Sequence, residues 1–422
     1  MRLRIALAVT FLSATSAFAA EAVAYKGTIG KLPIILEMAE GTDSGNFAAR
    51  YAYTSKGVDI PLHGKTDVDG RLTIEEEAPC GERTCKNAKG DVLDVPPIGA
   101  DWMLTSEKDG QHLKGTWKDR KSGRTLPVLL DRIASRSLGV STGESVDDLD
   151  PSGVTREATS TITAKDLPYD FLKLDHPVKQ GRETAFDSAT IRFDTDPRTD
   201  TAYPTIVKLP GAETTAINRY LRQQWLKFQF NAYYCKSKIY LGYGWFGNES
   251  EGTNGYWDGS PGVRIDYLTS RLIGYAEHGS FYCGGAYPHH FEDRHFANVE
   301  TGQPLEAESL LKGFVPKNSS GEQVDPAALG KDDYWKYGPN AELVKFVEDR
   351  RNKSDASVEN DCLMSDLVRT NLGVYFTKDE LVFTLKELPH VIFACTDDVV
   401  KMPLKDARPL LNDKGIRLLF GE

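Results

Sequence analysis

"FAARYAYTSKGVDIPLHG", residues 47–64, decides how the first part of the chain folds. Apolar and polar residues alternate on both sides of Lys56-Gly57, which predicts two strands joined by a tight turn. The same alternation runs outward in both directions. Upstream lies "GTIGKLPIILEM"; downstream lie "GRLTIEEE", "HLKGTWKD" and "RTLPVLLDRI", with turn signals at Asp69-Gly70, Asp109-Gly110 and Ser122-Gly123. Short strands at regular spacing without a helix predict an all-β antiparallel barrel or sandwich over residues 20–133. Barrels of this size are usually filled by their own side chains, although they can hold a ligand.

Residues 134–165 are rich in Ser, Thr, Asp and Gly and poor in large apolar groups, which predicts a linker. Residues 166–422 read as an α+β domain, an antiparallel sheet with helices. Ile217, Leu221, Trp225 and Phe228 recur at intervals of four, four and three, a helical stripe facing a core. A second helix is expected in "NAELVKFVEDRR", with Asn340 as its cap. Strands are expected in "KSKIYLGYGWF", "GVRIDYLTSRLIGYAEH", "HFANVET", "NLGVYFTKDELVFTL", "HVIFAC" and "VVKMPL".

Residues 1–19 combine Arg2 and Arg4, an apolar stretch from Ile5 to Ala14, and the small-x-small signal Ala17-Phe18-Ala19. That is the pattern of a cleaved signal peptide, and the apolar stretch is too short to span a bilayer. The expected compartment is periplasmic or secreted, with a soluble mature chain and no membrane span. Removing the signal takes the formal charge from −10 to −12. Such a surface repels phosphate backbones, so nucleic acid is not an expected partner, whereas a basic protein is attracted. Cys80, Cys85, Cys235, Cys283, Cys362 and Cys395 make an even set in an exported chain, which predicts disulfides. Six cysteines allow 15 pairings. Chain order and domain division favour Cys80–Cys85, Cys235–Cys283 and Cys362–Cys395.

"SFYCGGAYPHHFEDRHF", residues 280–296, concentrates glycines and histidines. On one strand His289 and His295 would share a face yet lie about 20 Å apart, too far for one zinc ion. His290 and Glu292 could meet on the other face, but two ligands make no metal site. A structural turn beside a disulfide explains Gly284-Gly285 better, and neither metal nor cofactor is expected. The chain has no G-x-S-x-G, H-E-x-x-H or G-x-x-x-x-G-K-[ST]. Acidic runs such as Glu75-Glu76-Glu77 and Asp147-Asp148 read as solvated. Residues 241–262 set Tyr243, Trp245, Phe246, Tyr256 and Trp257 among glycines and small polar residues, as a sugar-stacking or protein-anchoring loop would.

"YCGGAYPHH", followed by "ANVETGQPLEAESLL", and the C-terminal "LGVYFTKDELVFTLKELPHVIFACTDDVVKMPLKDARPLL" resemble the extracellular domain-of-unknown-function family typified by RsiV-like, lysozyme-sensing anti-sigma factors. A related copy accompanies some peptidoglycan deacetylases as a non-catalytic extension. The resemblance spans roughly residues 184–412 and leaves out the N-terminal β domain. The family's usual histidine after Gly-Gly-Ala is Tyr287 here, with His289 and His290 further on. No transmembrane or cytosolic anti-sigma segment is present, so signalling of that type is not expected. What the resemblance implies is a non-enzymatic exported binding module of the cell envelope, for a lysozyme-like protein or peptidoglycan. The candidate ligand-binding residues are Tyr243, Trp245, Tyr256, Trp257, Tyr287, His289 and His290. The alternative is an envelope hydrolase acting on glycan or ester substrates through an unrecognised carboxylate and histidine.

Overall fold

A computed structural model describes residues 20–39, 45–81, 83–107, 110–138, 143–151, 161–245, 257–281, 283, 289–330, 333–352, 359 and 361–422. The proposed signal peptide, Tyr256 and Tyr287 lie outside them.

The alternating segments form eight strands: β1 (Glu21–Ile29), β2 (Leu32–Ala39), β3 (Asn46–Tyr53), β4 (Ile60–Thr66), β5 (Arg71–Glu77), β6 (Ile98–Ser106), β7 (His112–Asp119) and β8 (Thr125–Ser137). Each pairs antiparallel with the next, and β1 pairs with β8 to close a barrel. Inside, Phe47, Ala49 and Tyr51 of β3 meet Leu36, Leu62, Ile74, Trp102 and Leu104, so the lumen is filled by side chains. Glu76 is held there by two indole donors, Trp102 Nε1 at 2.9 Å and Trp117 Nε1 at 2.8 Å. Burial pushes its carboxyl above the usual range even so. Gly57, at the predicted β3–β4 turn, has φ +73°, and a Cβ there would lie 2.5 Å from the Tyr233 ring. Only glycine meets both demands.

The outer face of β1–β3 is covered rather than solvated. Ala22, Ala24, Ala48 and Ala52 are buried there, under Leu149 and Tyr169. The expected linker therefore includes packed chain: β8 runs on to Ser137, and Val146 and Leu149 of a 3-10 turn are buried. Tyr169 belongs to α1 (Pro168–Leu174), which also carries two buried charges.

Beyond the barrel come smaller antiparallel sheets and helices. One sheet joins β9 (Thr184–Phe186), β10 (Ala189–Asp196) and β11 (Thr201–Lys208). A second joins β12 (Trp257–Leu268), β13 (Leu272–Phe281) and β14 (His289–Asn298). β15 (Phe314–Asn318) pairs with β16 (Trp335–Pro339), and β17 (Leu372–Phe376), β18 (Glu380–Leu385) and β19 (Asp398–Pro403) form the last sheet. The predicted stripe lies on α2 (Thr215–Ser237), with Ile217, Leu221 and Trp225 packed on Ile265, Ile273 and Tyr275. Asn340 caps α3 (Ala341–Glu348), its side chain accepting from Leu343 N at 2.9 Å. The chain ends with α4 (Met364–Thr370) and α5 (Asp413–Phe420).

Two predicted strands are absent. "KSKIYLGYGWF" continues α2 and then makes a 3-10 turn, Leu241–Tyr243. Its apolar residues serve the barrel instead: Tyr240 and Tyr243 join the barrel's core, Ile239 O accepts from Cys80 N, and Gly242 N donates to Glu77 Oε2. "HVIFAC" is a 3-10 segment, His390–Cys395, anchored by a disulfide. Periodicity over so few residues cannot separate these outcomes. All six cysteines are bridged, as Cys80–Cys85, Cys235–Cys283 and Cys362–Cys395. Three disulfides fit an oxidising compartment. Among the described residues no helix is long and apolar enough to cross a membrane.

Candidate functional site

The predicted recognition residues that are described lie on two segments, one around the 3-10 turn with Tyr243 and Trp245, the other strands β12 and β14 with Trp257, His289 and His290. Tyr243 and Trp245 are 5% and 8% exposed, so both rings are packed away rather than presented. Lys86 sits over the Trp245 ring at 5.8 Å. Trp257 and His289 occupy strand positions that both pair with Phe281. His290 is exposed on β14, with its ring 6.0 Å from that of Phe393. Glu292 is committed elsewhere, between two arginines. Among the described residues, no group of three or more His, Cys, Asp or Glu is placed to hold a metal.

The cavity that matters lies beside β14. It measures about 680 Å³ and is bordered by α2, β14, the chain after it (residues 304–308), the β17–β18 hairpin and residues 393–398. Its wall is built from charge. On one face of the sheet, Arg264, Asp266, Glu292 and Arg294 form a closed ring of four ion pairs between 2.6 and 3.0 Å. The Arg294 guanidinium also lies 3.5 Å above the Tyr375 ring. Tyr375 in turn donates to Asp398 Oδ2 at 2.9 Å. These contacts hold the two sheets at a fixed separation, since each guanidinium is pinned by two carboxylates and one also by a ring face.

The other face carries His295, set by alternation opposite Arg294. Its ring stacks on Tyr275, with centroids 5.0 Å apart at 26°. Among the described residues its Nε2 is buried without a hydrogen-bond partner, and lies 3.6 Å from Glu277 Oε2. Glu277 is fixed from behind, because Tyr203 Oη donates to its Oε1 at 2.6 Å. Burial opposes charge on the imidazole, but Glu277, with Asp293 and Glu306, outweighs it and holds His295 above its ordinary value. Glu306 and Glu308 enter the cleft from the 3-10 turn after β14, Ala307–Leu310 and its cap. Lys386 Nζ pairs with Glu308 Oε1 at 2.7 Å. Glu306 has no ion pair among the described residues, and burial with the nearby Glu308 pushes its carboxyl up.

Among the described residues, seven carboxylates but only four Lys or Arg side chains border the cleft, with one histidine. The cleft is therefore acidic even after its internal pairs are counted, and Glu306 and Asp397 are the acids without an ion pair among the described residues. Reading the sequence missed these groups. His295 lies in the 280–296 stretch, where its spacing from His289 speaks only to metal binding. Glu306 and Glu308 stood inside the "PLEAESLL" motif, where their spacing of two places them on different sides of a 3-10 turn.

Compared with known protein families and with curated proteins, the chain matches none.

Proposed function

We propose that this protein is an exported, non-enzymatic binding protein of the cell envelope whose cleft receives a basic protein partner. A lysozyme-like muramidase is the partner that the RsiV-type resemblance implies, with peptidoglycan as the other ligand. The supporting observation is the excess of carboxylates over cations around a 680 Å³ cleft. Low-dielectric walls focus such a field and draw in ligands of opposite sign. The test is retention of lysozyme and of isolated peptidoglycan on the immobilised full chain. Lysozyme retained at low salt and released as salt rises is the expected result; retention of neither ligand removes the reading.

A second reading has its own observation. His295, backed by Glu277, and Glu306 share the cleft, and a histidine with a carboxyl of raised pKa is a general acid–base pair. An envelope hydrolase would turn over glycan or ester substrates and would lose that turnover in Glu306→Gln and His295→Gln. Turnover persisting in both variants would exclude this use of the pair.

A further inference from the structure

Five consecutive residues of β14, Glu292 to Phe296, border the cleft. Neighbouring side chains on a strand point to opposite faces of the sheet, so a run of five borders one cavity only where the cavity lies along the strand's edge. The hydrogen bonds agree. Phe296 O accepts from Leu305 N at 3.0 Å, and Asn298 N donates to Gln303 O at 2.9 Å. Even-numbered backbone groups of β14 thus point away from β13. In an antiparallel ladder the N–H and C=O of one residue share a side and alternate along the strand. Glu292 and Arg294 therefore send theirs outward as well. No backbone bond to these groups from outside the β13 ladder is made among the described residues, because the returning chain leaves the edge after Leu305. An unpaired strand edge is a template for another strand.

We infer that the β14 edge from Glu292 to Arg294 is where an extended, basic segment of the partner adds as a further strand, its cationic side chains lying against Glu306 and Asp397. This rests on the reading of the cleft as a site for a basic partner and adds how the partner is held. Backbone pairing supplies binding that tolerates many sequences, while the unpaired acids select cationic side chains. Leu305, bonded to Phe296, stops the added strand at one end, so the docked segment is short.

The probe is a capped hexapeptide of alternating lysine and valine, titrated calorimetrically into the full chain at low salt. Two copies carry N-methyl groups, one on the lysine amides and one on the valine amides. Binding is expected for the parent peptide, with at least a tenfold loss in one methylated copy. Exchange of the Glu292 and Arg294 amides should slow when the parent is bound. Glu292→Pro and Glu292→Ala remove the same carboxylate, but only proline removes an outward N–H, and at an unpaired edge position it costs the ladder nothing. With both variants shown folded by near-ultraviolet circular dichroism, the proline variant should bind at least tenfold more weakly than the alanine variant.

Equal binding by all three peptides, equal binding by the two variants, or no binding by the parent would overturn strand addition. Each would leave lysozyme retention as an independent test of the cleft. An alternating glutamate–valine peptide that binds as well as the parent would overturn selection by charge. Peptide binding without lysozyme retention would leave strand addition standing and remove the muramidase partner.

Discussion

Two clusters of charge lie on opposite sides of α2, and they differ in closure. Against the barrel wall, Arg50 donates to Glu37 at 2.6 Å and to Asp170 at 2.8 Å, Arg136 reaches Glu37 at 2.7 Å, and Lys173 pairs with Asp59 at 2.7 Å. Tyr169 completes it by donating to Asp59 at 2.6 Å. Three cations meet three carboxylates, and all but Arg136 are at most 2% exposed. Beside β14, by contrast, the acids outnumber the cations and the cavity is open. A balanced, closed cluster has no remaining capacity for a ligand and serves to fix α1 on the barrel. An unbalanced, open one keeps a field directed at solvent. Residue types are the same in both, so stoichiometry and access are what distinguish them.

The largest expected effect breaks the closed cluster. Arg50→Met removes the guanidinium shared by Glu37 and Asp170, leaving the one to Arg136 and the other to Lys173, at a cost of about 3–5 kcal/mol measured by denaturant unfolding. Burial opposes ionisation of Asp170, but Arg50 and Lys173 outweigh it and hold its carboxyl below the usual value. Its stabilising contribution is thus present above the ordinary aspartate range and lost as pH falls through the depressed value. Acid unfolding of the wild type should show that loss, and Arg50→Met, which keeps only Lys173 beside Asp170, should show less of it.

The next effect lies on the far side of the open cleft. Replacing Cys362 and Cys395 by serine opens a loop of 33 residues, at about 3–4 kcal/mol in the chain-entropy model. Thermal melts should fall accordingly, and a melt unchanged within a degree would show that residues 390–398 are held by packing alone. Arg294→Lys is milder. It loses the double pairing to Asp266 and Glu292 and the stacking on Tyr375, for about 1 kcal/mol.

The smallest effect is a slope. The folded state holds His295 above its ordinary value, so the stability it contributes is present below about pH 6.5 and lost as pH rises through the raised value. Glu306 is also raised, so its protonated form is favoured with the same sign at lower pH. His295→Gln should flatten the fall in stability between pH 6 and 8. A parallel curve for the variant would mean that Glu277 does not govern the imidazole.

Much of the barrel was legible because it is local. Hairpin glycines and period-two alternation set each strand by its neighbour, and Gly57, Gly70 and Gly123 all adopt the left-handed turn conformation. Helical spacing marked α2, and an asparagine cap marked α3. Chain order was enough to pair the cysteines because each bridge stays within one region. The cleft was not legible, since its walls come from α2, β14, residues 304–308, β18 and residues 393–398, which no period connects. Tyr243 and Trp245 looked like an exposed aromatic loop because glycines surround them. In the fold Gly242 serves the barrel instead, its N–H satisfying Glu77. No local pattern marks Arg50 and Lys173 as buried, and only the distant Glu37, Asp59 and Asp170 reveal why they are.

The most direct measurement compares lysozyme affinity in the wild type and in Glu306→Gln combined with Asp397→Asn, across a series of salt concentrations. Neither substitution removes an ion pair among the described residues, and Glu306→Gln relieves a carboxyl whose charge burial already disfavours, so the fold should be undisturbed. The account predicts binding that weakens with salt in the wild type and is at least tenfold weaker in the double variant at low salt. Equal affinity for both proteins, or binding indifferent to salt, would contradict it.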